Sequence, residues 1–178
     1  AICQLGKPVI LVMIDGRASS INYAKKYVPA ILHAWFPGEF CGQAVAETIF
    51  GDNNPGGRLS VTFPKSVGQI SFAFPFKPGS DSGCGTSVTG ALFPFGHGLS
   101  YTTFGYSNLK ISPEQQGVLE DVKVSCTVKN TGKRAGDEVV QLYLRDEVSS
   151  VTTYVKVLRG FERITLQPGE EKEITFTL

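Results

Sequence analysis

Acidic, basic and aromatic side chains follow two apolar segments of the chain, at positions where an α/β sheet would place a ligand. The runs PVILVMI (8–14) and AILHAWF (30–36) have the length and composition of strands buried on both faces. Ligands of open α/β sheets collect beyond the carboxyl ends of the strands. The residues at or just beyond these two ends are Asp15, Arg17, Trp35, Phe36 and Glu39. They are therefore candidates for a substrate-facing rim. The alternative is structural: Asp15 accepts a turn hydrogen bond, Arg17 pairs with it, and Trp35 belongs to the core.

No established catalytic or nucleotide-binding motif contains the two histidines or the glycine clusters. GHGLS (96–100) is not a GxSxG nucleophile elbow, because the serine comes last. GDNNPGG (51–57) lacks GxGxxG spacing and follows a helical pattern, whereas a phosphate loop precedes its helix. We interpret His33, within the second apolar run, as a packed histidine with satisfied hydrogen bonds. His97, between two glycines, is expected to be more exposed, and its surroundings suggest no ligand.

The four cysteines, at positions 3, 41, 84 and 126, show no CxxC spacing. That pattern offers no zinc or thioredoxin-like site, so the prediction is four free, structural thiols and no metal or other cofactor. Cys126 falls in an alternating apolar pattern and is expected in a core.

Net charge argues against two classes of partner. The chain carries 17 basic and 16 acidic side chains, a formal charge of +1, without a block of one sign. Nucleic acids and anionic membranes are therefore poor candidates. The apolar run 8–14 is also too short to span a bilayer. The chain begins without Met or a basic leader, which suggests a piece of a longer protein.

Helical patterns separate the apolar runs of the first half. A short helix is predicted in SSINYAKKYVP (19–29), capped by Ser19 or Ser20. A second helix is predicted in EFCGQAVAETIF (39–50), with Glu39 in its first turn. Its apolar stripe has the i, i+3, i+4, i+8 spacing and consists of Cys41, Ala44, Val45 and Ile49.

A third strand is predicted to follow the second helix. Gly51 is expected to end that helix in the left-handed conformation, residues 54–57 (NPGG) turn the chain, and a strand begins at Arg58. The alternation of strands and helices predicts an open α/β sheet with right-handed crossovers, here incomplete. The Gly- and Ser-rich stretch 75–90 is then predicted to form a long exposed loop.

From about Gly105 the apolar period changes to two. In VKVSCTVKNTG (122–132), DEVVQLYLRD (137–146) and EITFTL (173–178), apolar residues alternate with polar ones, and turn residues separate the segments. This pattern predicts an all-β sandwich of the immunoglobulin or fibronectin III type, short of an edge strand or two.

Long motifs of the chain resemble a known enzyme family. PVILVMIDGR (8–17), the segment from VPAILHAWFPGEF to FPKSVGQ (28–69) and LFPFGHGLSYTTF (92–104) resemble the carboxyl-terminal α/β-sandwich domain of glycoside hydrolase family 3. VKNTGKRAGDEVVQLYLRD (128–146) and LRGFERITLQPGEEKEITFTL (158–178) resemble the fibronectin type III-like domain that follows it. The resemblance implies domains at 1–104 and 105–178.

The resemblance also implies a function and the location of its catalytic groups. Members are retaining β-glucosidases and β-xylosidases in which an amino-terminal (β/α)₈ barrel carries the nucleophilic Asp. The general acid/base in many members is a Glu that precedes the PVILVMIDGR strand. Both roles are expected upstream of this chain, and neither Glu39 nor Asp81 inherits one. The loop Phe76–Gly90, with Asp81, is a further rim candidate at an outer sugar subsite.

The expected partners are an oligosaccharide or aryl β-glycoside and the missing barrel, and the expected location is the periplasm or the cell exterior. The alternative function is a non-catalytic carbohydrate-binding or structural β-sandwich, for which Tyr143 and Tyr154 are the candidate sugar-binding aromatics.

Overall fold

The computed structural model describes residues 2–70, 72–81, 87–113 and 120–178. The chain divides into two compact units. Unit 1 comprises Ala1–Asn53, Leu59–His97 and Val151–Thr153, and unit 2 comprises Asn54–Arg58, Gly98–Ser150 and Tyr154–Leu178. The α/β class of the first part and the β-sandwich class of the second are both confirmed by the elements below.

The described residues of unit 1 form two small sheets and two α-helices. After a 3₁₀ helix (Ile2–Leu5), its elements in chain order are β1 (Ile10–Met13), α1 (Asn22–Tyr27), β2 (Ala30–His33), α2 (Cys41–Phe50), β3 (Phe63–Pro64) and β4 (Ala91–Phe93). Strands β1 and β2 are parallel, in the register Ile10 with Ala30 to Met13 with His33. Strands β3 and β4 form a separate antiparallel pair.

The predicted third strand is wrong in both position and partner. The structure has no strand at Arg58, and only Phe63–Pro64 is extended and paired, with β4 rather than with β1 or β2. Before this strand, the Leu59 N–H donates a hydrogen bond to the His97 carbonyl, and the Leu59 carbonyl accepts one from the Gly96 N–H. The reason lies in residues 54–58, which belong to unit 2 and are held there by contacts described below.

The helix predictions are confirmed in place and corrected in detail. Helix α1 begins after Ile21 without a side-chain cap, so neither Ser19 nor Ser20 caps it. Helix α2 ends at Gly51 with φ of 86°, which confirms the left-handed residue at its end. Glu39 lies before the helix rather than in its first turn.

The buried stripe of α2 also differs from the prediction, because Ala44 is exposed and Thr48 takes its place as the buried residue. Thr48 tolerates this position because its hydroxyl donates to the Ala44 carbonyl one turn earlier, at 2.8 Å. The prediction of burial on both faces is wrong for β1: Ile10, at its start, is 46% exposed.

In unit 2, the part of the chain that the structure describes forms five antiparallel strands in two sheets. They are β5 (Phe104–Ser112), β6 (Lys123–Asn130), β7 (Gly136–Leu144), β8 (Val157–Leu166) and β9 (Glu171–Thr177), arranged as β5-β6-β9 and β7-β8. The predicted period of two is confirmed by the residues that meet in the core, namely Val128, Val140, Ile164, Leu166 and Ile174. Cys126 packs against this core, as the sequence predicts.

The prediction of free thiols is confirmed for three of the four cysteines, Cys3, Cys41 and Cys126. The fourth, Cys84, lies outside the described residues. Among the described residues, the structure contains no helix that is long and apolar enough to cross a membrane. No group of three or more His, Cys, Asp or Glu side chains suited to a metal ion occurs in the described part of the chain either.

Candidate functional site

The parallel pairing of β1 and β2 places the residues after the two strands side by side. Met13 is opposite His33, and the N–H of Ala34 donates to the Met13 carbonyl at 2.8 Å, so the pairing continues past the strand ends. The carboxyl edge of this sheet therefore brings the Asp15 loop and the Trp35 loop together. This is the edge where the sequence predicts a rim.

Asp15 and His33 form the polar centre of this edge. His33 Nε2 lies 3.0 Å from Asp15 Oδ1, and the His33 and Asp15 side chains are 10% and 35% exposed. A carboxylate only accepts hydrogen bonds, so Nε2 carries the proton that is shared with Asp15. Within the described residues, His33 Nδ1 is buried and has no hydrogen-bond partner. His33 is thus packed as predicted, but the expectation that both its ring nitrogens are satisfied is wrong.

Trp35 stands in a backbone conformation that is unusual for a large side chain. Its φ is 54°, in the left-handed region. Non-glycine residues in this region are uncommon, and such strain persists only where surrounding contacts enforce it. Here the indole meets the His33 ring, with 4.1 Å between centroids, and the fully buried Phe63 ring at 6.1 Å. The aromatic packing holds the Trp35 side chain beside the Asp15–His33 pair.

Arg17 reaches Asp15 through its backbone. Its N–H donates to Asp15 Oδ1 at 3.2 Å, which is the turn hydrogen bond that the structural alternative predicts. This contact is made by the backbone of Arg17 and not by its guanidinium group. The guanidinium belongs to an exposed residue. Phe36 covers the turn: a Cβ at Gly16 would lie 2.6 Å from Phe36 Cε2, so Gly16 is required for this close approach.

The structure does not bring the other two candidates into this cluster through any described hydrogen bond or ion pair. Glu39 is exposed in the turn before α2. Asp81 is held through its backbone carbonyl, which accepts hydrogen bonds from Gly90 N at 3.2 Å and from Gln69 Nε2 at 3.0 Å. Part of the loop Phe76–Gly90, residues 82–86, lies outside the described residues.

Gln69 is a residue that the sequence analysis missed. It is only 4% exposed, and its Nε2 lies within hydrogen-bonding distance of three carbonyl oxygens, those of Asp81, Val88 and Gly90. Its Oε1 accepts from the backbone N–H groups of Lys65 and Ser66. A glutamine in a loop sequence gives no signal of such a role, because its partners are up to 21 residues away.

A second polar cluster, within unit 2, was also missed. Arg58 Nη2 lies 2.6 Å from Glu138 Oε2, with both side chains 11% exposed. The Tyr106 hydroxyl donates to Glu138 Oε1 at 3.1 Å, and burial together with the Glu138 charge raises the pKa of Tyr106 above its ordinary value. Arg58 also donates to the carbonyls of Gly56 and Gly57. We interpret this cluster as structural, since Arg58 and Glu138 satisfy each other.

The remaining shifted groups of unit 2 also have structural causes. A hydrogen bond from Thr165 and the charge-assisted contact with Arg163 hold the pKa of Asp137 below its ordinary value, despite the opposing effect of burial. Burial raises the pKa of Cys126 and of Tyr143.

Comparison with protein-family models identifies both parts of the chain. Residues 1–101 match the model described as the glycosyl hydrolase family 3 C-terminal domain. Residues 138–178 match the model of the fibronectin type III-like domain.

Relatives match along the whole chain but are much longer. A β-xylosidase of Formosa agariphila is 50% identical over 100% of this chain and 25% of its own length. A periplasmic β-glucosidase of Salmonella typhimurium is 41% identical, again over 100% of this chain and 25% of its own length. The chain therefore spans about a quarter of the length of these relatives.

Solved structures agree with the same assignment. A β-glucosidase from Erythrobacter marinus superimposes with a TM-score of 0.93 at 42% identity, over 99% of this chain and 24% of that one. A β-glucosidase from Listeria innocua, in complex with isofagomine, gives a TM-score of 0.91 at 33% identity, over 99% of this chain and 26% of that one.

Proposed function

Because this chain belongs to glycosyl hydrolase family 3, as its C-terminal domain followed by a fibronectin type III-like domain, we propose that it forms part of a retaining, exo-acting β-glycosidase. The enzyme would release terminal, non-reducing β-linked glucose or xylose from oligosaccharides and aryl β-glycosides. The observation that carries this proposal is the identity to a β-xylosidase and a β-glucosidase along the full chain.

Retaining hydrolysis uses two carboxyl groups, a nucleophile that attacks the anomeric carbon and an acid/base that protonates the leaving oxygen, about 5–5.5 Å apart. We assign both to the part of the protein outside these 178 residues, on a (β/α)₈ barrel and on a loop that precedes β1. The present chain then serves as the scaffold that closes one side of the substrate site. We expect it to need no cofactor for this role.

The carboxyl edge of β1 and β2 is the part of the chain that we propose contacts the substrate. Asp15, Arg17 and Trp35 are supported by their assembly around one carboxylate. Glu39, exposed beyond the second strand, would contribute a peripheral contact, and Asp81 would act only by shaping its loop. Sugars are commonly bound by planar polar groups beside an aromatic ring, which is the composition of this edge.

We infer a periplasmic or secreted location. The support is the Salmonella typhimurium relative, which is named a periplasmic β-glucosidase.

A sugar-binding face on the sandwich is the less supported function. Lys156 Nζ lies 4.4 Å above the centroid of the Tyr143 ring, so the cation covers one face that a sugar would need for stacking. The Tyr143 hydroxyl is also engaged with Gln141 Oε1. Tyr154 is more accessible, at 45% exposed, but a single exposed aromatic residue is common on protein surfaces.

The proposal is tested by comparing the protein that contains the barrel with the 178-residue chain alone. We expect the longer protein to release nitrophenol from 4-nitrophenyl β-D-glucoside or β-D-xyloside, and the chain alone to release none above the uncatalysed rate. Turnover by the isolated chain that disappears when one of its own carboxylates is replaced would overturn the assignment of both catalytic groups to the missing part.

A further inference from the structure

We propose that Asp15 accepts a hydrogen bond from a sugar hydroxyl through its Oδ2 atom, and that His33 is the positioning residue that aims this carboxylate. The inference rests on the proposed glycosidase function and names the residue that would recognise a hydroxyl group of the substrate. It depends on four observations at the carboxyl edge of β1 and β2.

The first observation is that both described contacts of the Asp15 carboxylate fall on one oxygen. Oδ1 accepts from His33 Nε2 at 3.0 Å and from the N–H of Arg17 at 3.2 Å. Oδ2 accepts no hydrogen bond from any residue in the described part of the chain. Because the side chain is 35% exposed and two donors already contact Oδ1, Oδ2 is the oxygen left to accept a hydrogen bond from a ligand.

The second observation is that the donor is held rigidly. The His33 ring is nine-tenths buried and packs edge-on against Trp35 and Phe63, with centroid distances of 4.1 and 5.2 Å. A ring fixed on two sides by aromatic residues presents its Nε2–H in one direction. This is how a second residue orients a recognition group before the ligand arrives.

The third observation is that this edge contains two features that destabilise the folded state. His33 Nδ1 is buried without a partner, and Trp35 has a left-handed φ of 54°. An unpaired buried polar atom and a strained residue each oppose folding. Sites with several such local violations are often functional, because a purely structural edge gains nothing from them.

The fourth observation concerns the chemistry of the ligand. A carboxylate oxygen beside a half-buried indole suits a neutral ligand that has both hydroxyl groups and an apolar ring face, which is a pyranose. The exposed Phe36 ring lies against Gly16, one residue after Asp15. A phosphate or other anion would be repelled by Asp15.

The test uses the full-length enzyme and two substitutions that separate contact from positioning. In Asp15→Asn, the amide oxygen must take the place of Oδ1, because an amide nitrogen there would face two N–H donors. Only the atom at the Oδ2 position then changes, from an acceptor into a donor. Loss of one hydrogen bond to a charged group predicts a rise in KM of about tenfold, with kcat changed less than twofold.

His33→Ala removes the positioning donor, and we expect KM to rise about fivefold with some loss of thermal stability, since Asp15 keeps only the weaker Arg17 contact. His33→Gln supplies an amide N–H that can donate to Oδ1, and it should restore most of the wild-type KM. Gln43→Ala, on the exposed face of α2, is the matched control and should leave both kinetic constants unchanged.

Kinetics on 4-nitrophenyl β-D-glucoside, 4-nitrophenyl β-D-xyloside and cellobiose distinguish the outcomes. A rise in KM on every hydrolysed substrate supports a contact to the sugar that is released, and a rise on cellobiose alone supports a contact to the leaving sugar. An active enzyme whose KM is unchanged in Asp15→Asn, or in which His33→Ala lowers stability alone, overturns this inference but leaves the proposed function standing. A full-length protein that hydrolyses none of the three overturns both.

Discussion

At the scale of single residues, buried amides organise the loops of this protein. Asn130 is fully buried, and its Oδ1 accepts from Thr102 Oγ1 and Gly132 N while its Nδ2 donates to the carbonyls of Arg134 and Leu166. The sequence predicts Asn130 as a turn residue, and the hydrogen bond to Gly132 N fulfils that role. The other three partners, Thr102, Arg134 and Leu166, are not predicted by the role of Asn130 in a turn.

Gln69 plays the corresponding part in unit 1, and its replacement gives a stability prediction. Gln69→Leu would remove the amide that contacts three carbonyls and two backbone N–H groups, so we expect the free energy of unfolding to fall by about 3 kcal/mol. Urea unfolding followed by the fluorescence of Trp35, the single tryptophan of the chain, measures this change in unit 1.

Gln43→Leu is the control for that measurement. Gln43 is exposed, and among the described residues its side chain hydrogen-bonds only to Glu47, so its replacement should change the free energy of unfolding by less than about 0.5 kcal/mol. Equal losses in the two variants would show that Gln69 is not the anchor that its hydrogen bonds suggest.

At the scale of elements, the segment Asn54–Arg58 explains where prediction from sequence succeeds and fails. Local signals are sufficient for the end of α2 at Gly51 and for the alternation in β6, β7 and β9. They are insufficient at Arg58, whose ion-pair partner Glu138 is 80 residues further along the chain. The pattern that begins at Arg58 therefore predicts a strand, whereas the long-range ion pair holds Arg58 itself in unit 2 and the residues from Leu59 onward belong to unit 1.

The same limit applies to the candidate site. The rule that ligands collect at the carboxyl ends of strands selects Asp15, Arg17 and Trp35 correctly as neighbours. It also selects Glu39, which makes no described hydrogen bond or ion pair with these residues. The number of residues between Glu39 and the end of β2 does not show in which direction the chain runs after the strand. The contact between His33 and Asp15 is not predicted for the complementary reason: the position of His33 in an apolar run indicates only packing, and the proximity of Asp15 depends on the register of β1 with β2.

The close packing of the Asn54–Arg58 segment yields a prediction with a control one residue away. A Cβ at Gly56 would lie 2.6 Å from the Asp137 Cβ, whereas a Cβ at Gly57 would meet no atom within 4 Å. Neither glycine has a positive φ, so the two substitutions differ mainly in steric contact. We expect Gly56→Ala to lower the stability of unit 2 by about 1–3 kcal/mol and Gly57→Ala to change it by less than about 0.5 kcal/mol.

Thermal unfolding followed by circular dichroism compares these two variants with the wild type. A loss of melting temperature in Gly57→Ala as large as that in Gly56→Ala would contradict the packing described here.

At the scale of the whole molecule, the chain spans about a quarter of the length of the two curated relatives, and we propose that it contributes scaffold and rim rather than reacting groups. Large apolar side chains of unit 1 remain exposed, among them Ile10 at 46% and Ile14 at 55%, at the two ends of β1, and Phe40 at 69%, just before α2. In the longer enzyme that we propose, residues outside this chain would cover part of this surface.

Trapping of the glycosyl-enzyme intermediate tests the central proposal most directly. A 2-deoxy-2-fluoro glycoside with a good leaving group forms the covalent intermediate of a retaining enzyme and slows its hydrolysis, so the labelled peptide identifies the nucleophile. For the full-length protein, we predict one sugar per molecule, attached to a carboxylate outside these 178 residues. A label on a carboxylate within them would contradict the proposal.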